Sequence, residues 1–203
     1  LPKSRLLAVS DIHGHQDALN QLLQQADYDP SSDRLILLGD YINADDESSY
    51  GTLDQIRQLV SQGAIALLGN QELRLAKPRN GELRFPKHWS WLSSLPLYTI
   101  QDHFLLVHAG IRPGIPLERQ SVRDLTEIRD DFIRSKAERF GELGRYTIVF
   151  GHTPTHRLGT PPGKLWYGDN RIGIDTGAKH GHRLTLVNLH EGISYGCSTA
   201  PAL

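Results

Sequence analysis

Cysteine is almost missing from this chain: Cys197 is the only one in 203 residues. One thiol cannot build an internal disulfide framework, and its rarity fits a reducing cytoplasm. Cys197 itself is expected to be a spare thiol near a loose terminus. Charge of one sign is also missing, because 22 basic and 23 acidic residues leave a formal net charge of −1. Bulk electrostatics therefore give no reason to expect a nucleic-acid or membrane partner. Long apolar runs are absent: nothing approaches the roughly 20 residues of a membrane span. No signal peptide is visible, and the start at Leu1 fits a trimmed initiator or short leader. Internal repeats and low-complexity linkers are lacking too, so residues 1–203 are expected to form one domain. Hydrophobic content of 38% and charged content of 22% are those of an ordinary globular protein with one well-buried core.

What is present is a set of short apolar runs, each ending in a residue able to bind a metal. LLAVS leads to Asp11 and His13, LILLG to Asp40, AIALLG to Asn70, FLLV to His108 and TIVFG to His152. Runs of this length bounded by glycine and turn residues read as buried strands. Ligand sites in α/β proteins gather just past the carboxyl ends of strands. Six oxygen and nitrogen donors at one sheet edge are what a two-metal hydrolase needs. Mixed donors of this kind suit Mn²⁺, Fe²⁺, Zn²⁺ or Co²⁺ without choosing among them. For a single histidine the ordinary reading is a hydrogen-bonded core residue; for six donors together that reading is poor.

Between these runs the spacing predicts helices over 16–26 and 52–61, giving stacked β-α units and a partly parallel sheet. Residues 77–87 are polar, with Pro78, Gly81 and Pro86, and read as a surface excursion beside the site. A short helix is expected over 89–94, strands over 97–100 and 104–107, and helical spacing runs through 121–140. Further strands over 147–150, 171–174, 184–189 and 193–195 would supply a second sheet packed on the first. Trp89, Trp91 and Trp166 are as readily packing or edge residues as substrate platforms.

Taken as strings, Ser10-Asp11-Ile12-His13-Gly14, Gly39-Asp40-Tyr41, Gly69-Asn70, Val107-His108-Ala109-Gly110, Gly151-His152-Thr153-Pro154 and Ile174-Asp175-Thr176-Gly177-Ala178 are ordered as in the calcineurin-like metallophosphoesterases. The chain resembles the phosphoprotein-phosphatase branch of that family, especially small bacterial serine/threonine phosphatases and symmetrical dinucleoside tetraphosphatases. The resemblance covers residues 6 to about 189 and implies an α/β fold, a four-layer αββα sandwich of mixed sheets. It also implies two divalent metal ions, manganese first. Asp11 and His13 would hold one ion, Asp40 would bridge, and Asn70, His108 and His152 would hold the other. A metal-bound hydroxide would then attack a phosphate ester or anhydride in a phosphorylated protein or a nucleotide polyphosphate. Arg129 matches an arginine that the family uses on substrate phosphate, and Arg112 lies close to a proposed ligand. The competing expectation for both arginines is a salt bridge, for Arg129 one on a helix surface.

Two blocks depart from the family. Its pattern Gly-Asp-x-x-Asp-Arg-Gly is here Gly39-Asp40-Tyr41-Ile42-Asn43-Ala44-Asp45, and Gly-Asn-His-Asp/Glu is Gly69-Asn70-Gln71-Glu72. Gln71 occupies the place of the histidine that protonates the leaving group, Asn43 that of its aspartate partner, and Ala44 that of a phosphate-gripping arginine. Without the histidine, a buried aspartate would be an unpaired charge, so the pair is lost as a unit; an Asn–Gln pair can still hydrogen bond but does not titrate. A general acid contributes about 10²–10⁴-fold. It matters most for an alkoxide leaving group and least for a phosphate, whose second pKa is about 6. Weakened leaving-group protonation therefore favours anhydrides or activated esters. The alternative is a pseudophosphatase that binds metals and a phosphorylated partner or nucleotide without turnover. His15, His180 and His182 are the histidines near the motifs, each read first as structural or exposed rather than as a replacement acid.

Overall fold

The computed structural model describes residues 4–76 and 86–201. Among the described residues, ten strands form two five-stranded mixed sheets. The first has the order β10-β9-β1-β2-β3, built from β1 (Leu6–Val9), β2 (Arg34–Leu37), β3 (Ile65–Ala66), β9 (Arg183–Asn188) and β10 (Ile193–Ser198). The second has the order β4-β5-β6-β8-β7, built from β4 (Tyr98–Gln101), β5 (Phe104–Val107), β6 (Thr147–Phe150), β7 (Trp166–Gly168) and β8 (Arg171–Gly173). In each sheet three central or adjoining strands run parallel, β1-β2-β3 and β5-β6-β8, and antiparallel strands complete it.

Strand alternation separates the core into three apolar layers. Leu6 and Ala8 point between the sheets, where they meet Ile36, Leu38, Phe104, Leu106 and Val149. Leu7 and Val9 point the other way, onto helices α1 (Gln16–Gln25) and α2 (Thr52–Ser61) through Leu19, Leu22, Leu53 and Ile56. Leu105, Val107, Ile148 and Phe150 cover the far face of the second sheet with Phe132, Leu125 and Phe140. Helix, sheet, sheet and helix are thus the four layers, the αββα sandwich expected from the sequence. Each fully buried Leu, Ile or Phe contributes about 1.5–3 kcal/mol, so strands this short are held by their two covered faces.

The structure corrects several expectations. The last two strands do not join the second sheet; β9 pairs antiparallel with β1, with Leu7 opposite Asn188 and Val9 opposite Leu186. The run of helical spacing over 121–140 is broken into α5 (Val122–Glu127), α6 (Asp130–Ile133) and a 3₁₀ segment over Ala137–Arg145. The reason is a diverted hydrogen bond: the Leu125 carbonyl accepts from Ala109 N–H at 2.9 Å, not from residue 129 as a continuing α-helix requires. Ile128 and Arg129 then leave helical geometry. Helix α3 (Asn70–Ala76) was not anticipated, and α4 (Pro86–Leu92) begins earlier than expected. The proposed excursion over 77–87 lies outside the described residues except for its last two, which open α4. No helix among the described residues is long and apolar enough to cross a membrane.

Candidate metal centre

Past the carboxyl ends of β1 and β2 the parallel pairing continues as loop-to-loop hydrogen bonds. Asp11 N–H donates to the Gly39 carbonyl at 3.1 Å, His13 N–H to Asp40 at 3.0 Å and Gly14 N–H to Tyr41 at 2.8 Å. The two loops therefore present their side chains as one unit. Four of the six expected ligands hold left-handed backbone: Asp11 (φ +55°), His13 (+49°), Asp40 (+53°) and His152 (+61°). That region is disfavoured for residues with side chains, and such strain collects at functional sites. Close backbone approach fixes the loops further. A Cβ on Gly69 would lie 2.7 Å from Glu72 Oε2 and against Asp40, and one on Gly151 would strike Ser10 and Asp11.

The expected ligands converge. Asp11, His13 and Asp40 offer donor atoms within 4.8 Å of one another; so do Asp40, His108 and His152. The two trios share Asp40, the residue expected to bridge. Asn70, at the start of α3, places Oδ1 3.1 Å from His108 Nε2. Carbonyl oxygens fix the ring protons: His13 Nδ1 lies 3.1 Å from Ile42 O and His108 Nδ1 2.8 Å from Leu38 O. An oxygen that only accepts must face an N–H, which leaves each Nε2 lone pair for a cation. In the neutral ring, His108 Nε2 and Asn70 Oδ1 both present lone pairs, a pairing that a shared cation satisfies. His152 Nε2 is buried with no hydrogen-bond partner among the described residues. These observations fit a site for two divalent cations.

Electrostatics agree. Burial, with His108 and Arg129 adding to it, pushes the His152 imidazole down to about 3, so it is the neutral ring a metal requires. Burial also opposes a charge on His13, but Asp11 and Asp40 overcome it and push its pKa up to about 9. Burial works against ionisation of Asp11 as well, yet His13 and His108 hold its carboxyl well below the usual range. Asp40 is raised by burial and by Asp11 beside it.

The departures from the family act differently from the sequence expectation. Gln71 and Asn43 do not hydrogen bond to each other. Gln71 Oε1 accepts from Ala44 N–H at 3.1 Å, and Gln71 N–H donates to Asp40 Oδ1 at 2.9 Å. Asn43 Nδ2 donates to His13 O at 3.3 Å, while its Oδ1 is buried without a partner among the described residues. Each amide braces a backbone segment of its own. Ala44 is fully buried.

A cavity of about 160 Å³ opens on this cluster, with Asp11, His13, Asp40, Asn70, Gln71 and His152 in its lining. Arg129 joins the lining, its Nη1 3.2 Å from both His152 O and Thr153 Oγ1. The helix break described above is what turns it inward. Arg112 is not in this lining. Its guanidinium grips Asp124 at 2.7 and 2.9 Å and Asp131 at 2.9 Å, the salt-bridge alternative. His180 lines the cavity; His15 and His182 do not. Trp91 packs against the helical core and Trp166 against Phe150, and no tryptophan lines the cavity. Cys197 Sγ lies 2.9 Å from Gln21 Oε1.

Sequence reasoning assigned no role to Glu72, Asp175, Arg157 or Lys179. Glu72 is buried and accepts three backbone N–H groups, from Asp40 at 2.9 Å, Tyr41 at 2.8 Å and Gly69 at 3.0 Å. It ties the Asp40 loop to the Asn70 loop, and its place in the fourth motif position was the available signal. Asp175, Arg157 and Lys179 all line the cavity, and each lies within or just beyond a quoted motif.

A family model described as calcineurin-like phosphoesterase matches residues 4–188, and every donor named above falls within that match. The chain belongs to this family. Among curated relatives, a symmetrical bis(5'-nucleosyl)-tetraphosphatase of Aromatoleum aromaticum is 33% identical over 130 residues, 54% of this chain and 45% of that protein. Another, from Nitrosomonas europaea, is 26% identical over 166 residues, covering 73% of this chain and 58% of its own length. The chain spans about half the length of the curated relatives it matches. A crystal structure provisionally named a diadenosine tetraphosphatase aligns with a TM-score of 0.75 at 24% identity, covering 99% of this chain and 96% of that one. A serine/threonine phosphatase from Saccharomyces cerevisiae aligns at 0.70 and 13% identity, covering 100% and 82%. These two alignments speak to fold alone.

Proposed function

We propose that this phosphoesterase-family chain hydrolyses phosphoanhydride bonds in nucleotide polyphosphates at a two-cation centre. The observation that carries the reading is the pair of donor trios sharing Asp40, at one cavity whose family acid–base positions hold the non-titrating Gln71 and Asn43. Asp11, His13 and Asp40 would hold one cation and Asp40, Asn70, His108 and His152 the other, with Mn²⁺ assigned first and Fe²⁺, Zn²⁺ or Co²⁺ suited to the same donors. Cations bound there would supply Lewis-acid charge and an activated water.

The protein groups do the rest. Arg129 lies where its guanidinium can grip a phosphate bidentately. Gln71 holds the Ala44 loop and has no proton to give at neutral pH. With no acid at this position, leaving-group protonation is weakened, which a phosphate tolerates far better than an alkoxide. The names of the curated relatives point to the same substrate class. The test is phosphate release, with Mn²⁺ and with chelator, from diadenosine tetraphosphate plus an auxiliary phosphatase and from a phosphoserine peptide. Metal-dependent turnover that favours the anhydride is expected; equal kcat/KM on both substrates would overturn the preference. The second reading, metal and nucleotide binding without turnover, is favoured by the missing acid–base pair and predicts no metal-dependent release from either.

A further inference from the structure

We infer that Arg157 and Lys179 form a second phosphate subsite, which holds the phosphate next to the one at the metal centre and selects polyphosphates over monophosphates. The inference rests on the phosphoanhydride reading above. Arg157 sits in the 3₁₀ turn Thr155–Leu158 after β6, and Lys179 in the turn Ala178–His180 after β8. Both line the cavity that holds the two donor trios. Neither makes an ion pair or side-chain hydrogen bond among the described residues, whereas Arg112 is neutralised by two carboxylates. Asp175 lies on the same lining but turns Oδ1 to the Gly177 N–H at 3.0 Å.

Charge placement gives these cations a purpose. The family position for a phosphate-gripping arginine is here Ala44, buried and uncharged, so that position supplies no cation for a second phosphate. Arg157 and Lys179 bring two cations to the lining instead, from the turns after β6 and β8. At about 160 Å³ the cavity is well below the roughly 300–1,000 Å³ of pockets that enclose drug-sized ligands. Phosphates enter and the nucleoside ends stay outside. A monoester has one phosphate, which the metal centre and Arg129 occupy, and nothing left for Arg157 and Lys179. A polyphosphate attacked at an inner phosphorus has a neighbour that reaches them.

The test compares AMP with adenosine 5′-(α,β-methylene)diphosphate, which cannot be hydrolysed at that link, by isothermal titration with Mn²⁺ in equal excess in cell and syringe. Wild type is expected to bind the diphosphate analogue more tightly, by about tenfold for each cation engaged. Arg157→Ala and Lys179→Ala should each remove about tenfold of that preference, and the double variant should bring the ratio towards one. Arg157→Lys should restore part of it, which loss of fold would not allow. A ratio unchanged in the double variant overturns the subsite. Turnover of diadenosine tetraphosphate by wild type is read separately. Its absence with the ratio intact sinks the phosphoanhydride reading and leaves the subsite standing, and its presence with an unaltered ratio does the reverse.

Discussion

Metal binding should expel the proton held by His13, and this can be measured. His13 Nε2 lies 3.7 Å from Asp11 Oδ1 and 3.8 Å from Asp40 Oδ2. Those carboxylates outweigh burial and push its pKa up to about 9. At pH 7 that proton must be displaced at a cost of roughly 3 kcal/mol, since each pKa unit is about 1.4 kcal/mol. The apparent Mn²⁺ affinity is therefore about 100-fold below its high-pH limit. It should rise about tenfold per pH unit between pH 6.5 and 9, with about one proton released per site filled. His152, already neutral, adds no proton in this window. Stability of the metal-free protein runs the other way. A raised histidine stabilises fully below its unfolded pKa of about 6.5, and that contribution, about 3 kcal/mol, is lost as the pH climbs through about 9. Calorimetric titration of Mn²⁺ in buffers of different ionisation enthalpy counts the protons, and thermal unfolding in chelator follows the second effect. Flat affinity from pH 6.5 to 8.5 with no proton released, or a metal-free protein that gains stability over that range, would refute the reasoning.

Three further outcomes follow from the same geometry. Gly69→Ala puts a Cβ 2.5 Å from Asp40 Oδ1 and 2.7 Å from Glu72 Oε2. It should cost about 1–3 kcal/mol and weaken Mn²⁺ binding, and an unchanged urea midpoint together with unchanged affinity would count against the packed loops. Asp124, held below its ordinary value by Arg112, contributes fully above about pH 3.9 and loses its contribution as the pH falls through the lowered folded value. Asp124→Asn should flatten the acid limb of stability by less than about 1 kcal/mol, checked by urea unfolding at pH 3 and 5. Restoring the pair with Asn43→Asp and Gln71→His should raise kcat on alkyl phosphates about 10²-fold and hardly alter anhydrides; an equal response of both substrates would remove the role assigned to the missing acid.

The donors were legible because their signal is local. An apolar run names a buried strand, and a polar residue directly after it must sit at the strand's carboxyl end, as Asp11, Asp40, His108 and His152 do. The four layers were harder to see in the residues. Leu6 and Leu7 face different cores, yet in a strand buried on both sides they look alike in sequence. The return of β9 to pair with β1 is a long-range choice that no local pattern records. The helix break at Ile128 depends on Ala109 capturing the Leu125 carbonyl, a partner far away in sequence. That event brings Arg129 to the cavity, and continuous helical spacing over 121–140 concealed it. Arg112 illustrates the converse: closeness to His108 in sequence said nothing of the two carboxylates that hold it elsewhere.

The replaced acid–base pair shows how a local substitution changes its meaning in three dimensions. Two amides in place of an aspartate and a histidine read, by chemistry alone, as a pair that keeps its hydrogen bond and loses its proton. The fold uses them separately. Gln71 takes the Ala44 N–H and Asn43 the His13 carbonyl, so each stiffens the loop that carries a ligand, and Glu72 adds three more backbone bonds alongside them. These braces keep Asp40 and His13 in left-handed backbone that would otherwise relax. Both amides thus bear on the backbone around the donors, and neither has a proton to give at neutral pH. On the reading proposed above, such a site would bind phosphate beside two cations and would not favour a leaving group that needs protonation. Cleavage would then depend on the pKa of the leaving group, and a phosphate, near 6, is the leaving group expected to depart most readily.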